Sequence, residues 1–349
     1  MKEEHHYKDK AYMEVLRKLR NLIATEYRNG GRLPPSREMC ERFGVCLPTY
    51  GKAIERLRID GSVYRNSNKG IFVPPYSERM HKVGLVIGDG RESPFLDFQE
   101  ELSVLLRELK QARFHAQLIQ AGTPALLPRK ALFHGVDSLI WQLNGSAAAP
   151  VIEQILRENP FPLILTNSRD PAEESILPLF QYNCIHHDYP YTGRKRAEIL
   201  LERGHREIAY AGSDWFAEYT QFAPAIREAG GRLHREQPLY TEKQIRDNLA
   251  ETIRKHHVTG VYSEGGIHNM RAVFEVISGL PEKVRPELLV TNFEKVPDLL
   301  RQYPAVRCIG KCAHSSEAIP KTAAQMLSDH LESGIPLHSV ALKDFVFLP

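Results

Sequence analysis

The chain has few of the features that mark exported, membrane-spanning or zinc-binding proteins. Its 349 residues include five cysteines, and no two of them have CxxC spacing, so reduced thiols are expected rather than a disulfide framework or a zinc site. No apolar run approaches the roughly 20 residues of a membrane helix. The first ten residues, MKEEHHYKDK, lack the apolar stretch of a signal peptide. The sequence therefore predicts a soluble, cytoplasmic protein.

Enzyme signatures are also missing. There is no G-x-S-x-G elbow for a nucleophilic serine, and the stretch Gly88-Asp89-Gly90 lacks the third glycine of a dinucleotide fingerprint. The histidine pairs at 5–6 and 186–187 could hold a metal, but surface or pocket-edge histidines are the preferred interpretation. We therefore predict no catalytic residue, no cofactor and no metal.

The stretch LPPSREMCERFGVCLPTYGKAIERLRIDGSVYRNSNKGIFV, residues 33–73, is the most informative part that is present. Two prolines and a serine open a helix, and Gly44 ends it. Pro48 suits the first turn of the next helix, and Gly61 stops that helix. Two short apolar runs then flank the polar turn Asn66–Gly70, which is typical of a hairpin. Two helices, a turn and a β-wing are the parts of a winged helix-turn-helix.

This stretch resembles the DNA-binding domain of the GntR family of bacterial transcription regulators. The shared residues are Leu33-Pro34, Ser36-Arg37-Glu38, Phe43-Gly44-Val45, Thr49, Ala53, Leu57, Gly61 and Gly70-Ile71-Phe72-Val73. The likeness includes the preceding helix, predicted at Lys8–Arg28. It implies that the second helix of the motif enters the major groove of double-stranded operator DNA. The alternative is a winged helix that serves protein contacts only.

Six residues are predicted to contact DNA. They are Arg37, Thr49, Tyr50, Lys52, Lys69 and Gly70. In the family, an arginine at the position of Arg37 contacts DNA, and Lys69 with Gly70 matches the tip of the wing. Leu47 and Gly51 stand where the family usually has arginine or another long polar side chain, so base reading depends more on the other positions.

The charge distribution favours nucleic-acid binding by the same region. Residues 1–80 hold 16 of the 46 Lys and Arg and 10 of the 43 Asp and Glu, a net charge of +6, whereas the remainder has a net charge of −3. Neutralising phosphates requires such a surplus, and binding through it weakens as salt rises.

Beyond a linker at residues 76–81, the pattern changes to an alternation of strands and helices. Strands are predicted at Lys82–Gly88, Ala116–Gln120, Ser138–Trp141, Leu163–Asn167 and Ile208–Ala211, and helices at Leu96–Lys110, Val151–Glu158 and Thr192–Arg203. This alternation predicts an α/β fold with parallel sheets covered by helices, and ligands at the carboxyl ends of the strands. The predicted domains are a winged helix at 1–75 and a sensor at 82–349.

The stretch HDYPYTGRKRAEILLERGHREIAYAG resembles the LacI/GalR sugar-responsive repressors. The shared residues are Asp188, Gly193, Ala197, Leu200, Gly204-His205, Ile208 and Gly212. The likeness extends over 82–349 and implies a periplasmic-binding-protein-like fold, in which three crossing strands join two α/β lobes around an effector. Lobe 1 is expected at about 82–187 and 312–335, and lobe 2 at about 188–311 and 336–349.

Ten residues just beyond predicted strand ends are candidate effector contacts. They are Asp89, Phe95, Trp141, Asn144, Arg169, Asp214, Trp215, Tyr219, Glu264 and Glu294. Planar side chains cover the CH faces of sugars and acids accept from their hydroxyls, so this set favours a carbohydrate or a derivative. The arginine that the family carries after the position of Gly212 is missing here.

Together these features predict a homodimeric transcription regulator, a repressor in preference to an activator, that responds to a small effector. A solute-binding or enzymatic α/β protein remains the alternative.

Overall fold

The computed structural model describes residues 2–27, 29–67, 69–75, 78–79, 81–87, 99–119, 136–143, 149–158, 162–167, 179–212, 217–235, 238–264, 266–291 and 296–349. The chain divides into two compact units. The first consists of Met1–Asn167, Glu173–His186 and Ile319–Val340, and the second of Ser168–Ala172, His187–Ala318 and Ala341–Pro349.

The first unit begins with a three-helix domain that carries a small antiparallel sheet. Its helices are α1 (Lys2–Thr25), α2 (Ser36–Phe43) and α3 (Leu47–Ile59), and its strands are β1 (Gly31–Arg32), β2 (Tyr64–Asn66) and β3 (Gly70–Val73), in the order β1-β3-β2. Gly44 ends α2 in the left-handed region, with φ of 66°, and its N–H bonds to the last carbonyls of the helix. Leu16, Leu19 and Leu57 form the centre of the core. The α1 helix ends at Thr25, three residues before the predicted end.

The same unit continues into a six-stranded sheet of order β14-β8-β7-β6-β4-β5. Its strands are β4 (His81–Ile87), β5 (Phe114–Ile119), β6 (Ser138–Gln142), β7 (Leu163–Asn167), β8 (Cys184–His187) and β14 (Val340–Leu342), with helices α4 (Gln99–Gln111), α5 (Ala149–Glu158) and α11 (Ala318–Ser333). The pairs β5-β4, β4-β6, β6-β7 and β7-β8 are parallel. Apolar side chains from both faces are buried, as a parallel sheet between helices requires.

The second unit contains a six-stranded sheet of order β10-β9-β11-β12-β13-β15. Its strands are β9 (Glu207–Ala211), β10 (Arg232–His234), β11 (Gly260–Ser263), β12 (Glu287–Thr291), β13 (Cys308–His314) and β15 (Phe345–Leu348), with helices α6 (Tyr189–Glu202), α7 (Tyr219–Glu228), α8 (Glu242–His256), α9 (Ile267–Ser278) and α10 (Val296–Gln302). Only the pair β13-β15 is antiparallel among the pairings described for this sheet. The predicted α/β class with parallel sheets is confirmed.

The start of α6 is defined by a side-chain cap. The Asp188 carboxylate accepts a hydrogen bond of 3.0 Å from the Tyr191 N–H and thereby satisfies a donor of the first turn. The buried stripe of the helix recurs at three- and four-residue spacing and consists of Tyr189, Thr192, Gly193, Arg196, Ala197 and Leu200. This stripe packs α6 against α7.

Among the described residues, no helix is both long enough and apolar enough to span a bilayer.

The contact between α6 and α7 leaves no room for a side chain at Gly193. A Cβ at this position would overlap the main-chain oxygen of Glu218, which is fixed at the start of α7. We expect Gly193→Ala to lower the free energy of unfolding by about 1–3 kcal/mol through overpacking. The measurement is urea unfolding followed by circular dichroism.

Gly51→Ala is the matched control, because Gly51 also lies inside a helix but has no atom within 4 Å of an added Cβ. This change is expected to raise stability by up to about 1 kcal/mol. Equal stability of Gly193→Ala and the wild type would contradict the overpacking argument.

Candidate nucleic-acid interface and effector site

A cleft of about 800 Å³ lies in the N-terminal domain between the start of α2, the outer face of α3 and the strands of the wing. Three exposed arginines line it: Arg37 from α2, Arg58 from α3 and Arg65 from β2. Arg58 donates hydrogen bonds of 2.9 and 2.7 Å to Glu55 on the same helix. The cleft is thus a concave, basic surface with a helix along one side, which is a form suited to a nucleic-acid backbone.

Five of the residues predicted to contact DNA are exposed or half-buried, and one of them, Arg37, lines this cleft. Arg37 is exposed in the first turn of α2, and Lys52 is exposed on α3. Lys69 is exposed at the turn of the wing, directly before Gly70, which has φ of 109°. Thr49 is half-buried, with its hydroxyl oxygen 3.2 Å from the Cys46 sulfur.

Tyr50 does not fit the predicted role, because it is a core residue. Its side chain is only 1% exposed and packs with Met39 and Leu57 in the domain core. Burial raises the pKa of its hydroxyl to about 12. The cause is helical periodicity, since Tyr50 shares the inward face of α3 with Ala53 and Leu57.

The first turn of α3 presents an apolar side chain where the family usually has a polar one. Leu47 is 54% exposed, although it is a large hydrophobic residue. Gly51, one turn later, is exposed and has open space around its Cα. Near its amino end, the outer face of α3 therefore carries an exposed apolar side chain and, one turn later, a position without a side chain.

In the second unit, polar side chains meet where the parallel strands end. Arg196, from the inner stripe of α6, contacts both the Tyr262 hydroxyl and the Glu218 carboxylate. The Tyr262 hydroxyl is also 2.8 Å from the Thr291 hydroxyl at the end of β12. Because the carboxyl ends of parallel strands share one edge of a sheet, these groups form a connected network at the edge that in α/β folds binds ligands.

Two predicted effector residues, Tyr219 and Glu264, lie in this network. The Tyr210 hydroxyl donates to the Glu264 carboxylate directly after β11, and the Tyr210 and Tyr219 rings lie 5.1 Å apart. The Arg235 guanidinium lies 4.8 Å from the centre of the Tyr219 ring. It also donates a 3.2 Å hydrogen bond to the Gly212 carbonyl, so a guanidinium from the end of β10 occupies the edge where the family arginine is missing.

Glu264 is buried among these groups, with 6% of its surface exposed. Burial raises its pKa from 4.5 to about 7, against the opposing effects of the Arg196 guanidinium and the Tyr210 hydrogen bond. The edge of this sheet therefore holds a carboxyl group that changes charge near neutral pH.

Trp141 is not positioned as predicted. It lies within β6 in the first unit, is 1% exposed and belongs to the apolar core with Leu139 and Leu165. Hydrophobic burial thus accounts for this tryptophan. The remaining candidates lie outside the described residues: Asp89, Phe95, Asn144, Arg169, Asp214, Trp215 and Glu294.

The sequence prediction missed Arg196, Tyr210, Tyr262 and Arg235. A signal for Arg196 existed, because it falls on the inner stripe of α6 between Gly193 and Leu200, where a charge requires buried partners. Tyr210 and Tyr262 occupy paired register positions on β9 and β11. No local pattern indicates Arg235.

His187 is buried, although a surface or pocket-edge position was predicted. Its Nδ1 is 2.9 Å from Asp344 Oδ1, and its ring stacks on the His314 ring with centroids 3.8 Å apart. Burial lowers the pKa of His314 to about 4. Three such side chains could supply metal ligands. The Nδ1 atoms of His187 and His314 lie 2.9 and 3.4 Å from the same Asp344 Oδ1, so contacts with one carboxylate oxygen already account for both ring nitrogens.

The raised pKa of Glu264 predicts how stability depends on pH. Between pH 4.5 and about 7, Glu264 keeps its proton in the folded chain but releases it in the unfolded chain. Because the unfolded chain then binds fewer protons, the free energy of unfolding of the wild type falls as the pH rises through this range. Glu264→Gln mimics the protonated acid and should exceed wild-type stability at pH 8 by up to about 3 kcal/mol. Urea unfolding at several pH values measures this difference.

Glu228→Gln is the control, because Glu228 is exposed on α7 in the same unit and pairs with Arg194 at the surface. Its pH profile is expected to match that of the wild type. A Glu264→Gln profile that also matched would refute the assignment.

Comparison with known proteins identifies the two parts of the chain. The family described as bacterial regulatory proteins, gntR family, matches residues 11–73. No curated protein matches the sequence of this chain. Three solved structures are similar to this chain, and each alignment covers nearly the whole length of the solved protein. Transcription regulator GntR from Chromobacterium violaceum is 16% identical over 77% of this chain and 98% of that chain, with a TM-score of 0.51.

A regulatory protein of the LacI family from Chloroflexus aggregans is 16% identical over 76% of this chain and 96% of its own, with a TM-score of 0.56. The transcriptional regulator CelR in complex with cellobiose is 15% identical over 91% of this chain and 99% of its own, with a TM-score of 0.55. At such identities the likeness shows the fold. The N-terminal domain is therefore a GntR-family winged helix-turn-helix, and it is followed by a periplasmic-binding-protein-like fold with two α/β lobes.

Proposed function

We propose that this protein is a transcription regulator whose affinity for operator DNA is controlled by a sugar or sugar derivative. The observation that carries the proposal is the joining of a GntR-family domain at residues 11–73 to a fold shared with a regulator that binds cellobiose. The net charge of +6 on residues 1–80 supports the DNA part.

In this proposal α3 enters the major groove and the wing follows the backbone. Arg37, Lys52 and Lys69 neutralise phosphates, because all three are exposed on the N-terminal domain and Arg37 lines the basic cleft. The exposed Leu47 contacts a thymine methyl group, since apolar contact is how such a side chain discriminates bases. Gly51 lets the helix approach the groove closely.

The effector site in this proposal includes the carboxyl edge of the second sheet. Tyr219 supplies a planar ring, Glu264 a carboxyl group and Arg235 a guanidinium, and these three types of group bind sugar faces and hydroxyls. Asp214 and Trp215 follow β9 in the sequence and Glu294 follows β12, so these three residues stay predicted effector contacts.

Regulation requires that the effector prefer one of two states of the protein. A homodimer presents two winged helices to an inverted repeat, and a change in their separation alters affinity for that repeat. We propose repression that the effector relieves.

DNA binding is tested first by selecting duplexes from a random-sequence library with the full-length protein at low salt. We expect enrichment of an inverted repeat, and affinity that falls steeply as salt is raised. Failure to enrich any sequence would overturn the regulator assignment.

Arg37→Ala is expected to weaken binding to every duplex and to reduce the slope of log affinity against log salt by about 1, because one phosphate contact is lost. Arg301→Ala is the control, since Arg301 is an exposed arginine in the second unit and pairs with Asp298 on its own helix. Binding titrations by fluorescence anisotropy at four salt concentrations supply the slopes. An unchanged slope in Arg37→Ala would remove Arg37 from the interface.

Effector binding is tested by thermal unfolding with cellobiose, glucose and gluconate. A ligand present at 100 times its dissociation constant stabilises by about 2.7 kcal/mol, which corresponds to a rise in Tm of roughly 5–10 °C. Tyr219→Ala should abolish the rise, whereas Tyr303→Ala, a tyrosine packed against Phe274 away from the strand ends, should retain it. Equal ligand shifts in both variants would exclude Tyr219 from the site.

A further inference from the structure

A cluster of buried and half-buried charged side chains connects α3, the recognition helix of the proposed DNA-binding domain, with the first sheet inside the first unit. Its centre is Asp60, the residue after the last turn of α3, whose side chain is 2% exposed. Arg20 from α1 donates a 2.7 Å hydrogen bond to one carboxylate oxygen of Asp60. Lys82 from β4 donates a 3.2 Å hydrogen bond to the other, and Arg56 Nε lies 3.6 Å from that same oxygen. One carboxylate therefore holds cations from both domains.

A second carboxylate, Asp137, completes the connection from the sheet side. It precedes β6 and accepts a 3.2 Å hydrogen bond from Arg20 and a 2.9 Å hydrogen bond from the Lys82 main-chain N–H. Arg20 also donates to the Val136 carbonyl at 3.2 Å. Arg20, Asp60, Lys82 and Asp137, here called the interdomain cluster, thus tie α1 and the end of α3 to β4 and β6.

Two of these charged side chains, Arg20 and Asp60, are buried, whereas Lys82 and Asp137 are half-buried, and the burial of the first two restricts the geometry of the cluster. Exposed ion pairs exchange partners with water at little cost, but a buried charge that loses its partner is strongly disfavoured. The winged helix cannot turn relative to β4 unless the Lys82 contact and both contacts of Arg20 with 136–137 are broken together. Arg79 in the linker adds to the attachment, because it donates to the Tyr27 carbonyl just after α1 and to the Pro74 carbonyl just after β3.

We propose that the interdomain cluster positions the recognition helix: it holds α3 in a fixed orientation on the first sensor sheet, so that the sheet and α3 move as one rigid body. The inference rests on the proposed DNA-binding function. It assigns Arg20, Lys82 and Asp137 to the placement of the helix in the groove and not to contact with DNA.

Lys82→Met tests the proposal on the full-length protein. The change removes the contact with Asp60 but keeps the apolar stem of the side chain and the main-chain bond to Asp137. By hydrogen exchange, amides of α3 should exchange about tenfold faster in the variant while those of β6 and β7 are unchanged. Arg17→Met is the matched control, since Arg17 lies one turn from Arg20 on α1 and pairs with Glu14 on the same helix. It should leave α3 unchanged.

A DNA measurement separates positioning from a merely structural role. The duplex selected by the wild type is compared with one whose half-sites are moved apart by about 5 base pairs, or half a helical turn. We expect the wild type to lose about tenfold or more in affinity, and Lys82→Met to lose less than about threefold, because loosely attached domains tolerate more spacings. Affinity for a single half-site should agree within about twofold. Asp137→Asn should behave as Lys82→Met does.

Three outcomes would overturn the inference. Exchange in α3 could remain at the wild-type rate, exchange could accelerate equally in α3 and β6, or both variants could retain the wild-type dependence on spacing. Failure of the wild type to select any duplex is a different result, seen before any variant is compared, and it would remove the proposed function together with this inference.

Discussion

Parallel strand pairing is the constraint on which most of this structure depends. Parallel neighbours cannot be joined by tight turns, so each strand returns through a helix and both faces of the sheet are buried. In the described residues, α4 joins β4 to β5 and α5 joins β6 to β7, whereas in the second sheet helices α7 to α10 join the successive strands from β9 to β13. The same constraint places the carboxyl ends of β9, β11 and β12 at one edge of the sheet. Main-chain pairing stops at this edge, so side chains such as Glu264 are available to a ligand there.

Charges buried next to these sheets account for the remaining specificity. In the second unit Arg196 is buried between Glu218 and Tyr262, and in the first unit Asp60 is buried between Arg20 and Lys82. Such groups add little net stability compared with apolar packing, but each demands its partners in a defined place. Both networks therefore fix the positions of their members: one at the strand ends of the second unit and one between α3 and the first sheet.

Local patterns in the sequence predicted the order of helices and strands, but they did not predict the tertiary contacts between side chains. Strand and helix periodicity predicted the alternation from β4 onward, and Gly44 and Gly61 marked the ends of α2 and α3 because turns there need a left-handed residue. The structure corrects Tyr50, predicted from its place in the recognition helix, and Trp141, predicted from its place at a strand end, because both side chains are 1% exposed in apolar cores. Contacts such as Lys82 with Asp60 depend on tertiary packing, which no spacing along the chain reveals.

A rigid attachment of α3 to the first sheet restricts how an effector can act. If α3 follows that sheet, the effector of the proposed regulator would act by reorienting whole lobes and not by local unfolding of the winged helix. To convert a population from 1:99 to 99:1, the effector must bind one state more tightly by about 5.5 kcal/mol. A few hydrogen bonds and one stacked ring, all made in only one state, supply a difference of this size. The polar edge containing Tyr219, Arg235 and Glu264 offers groups of these types, so the proposed sugar-like effector would be sufficient to control a helix held in this way.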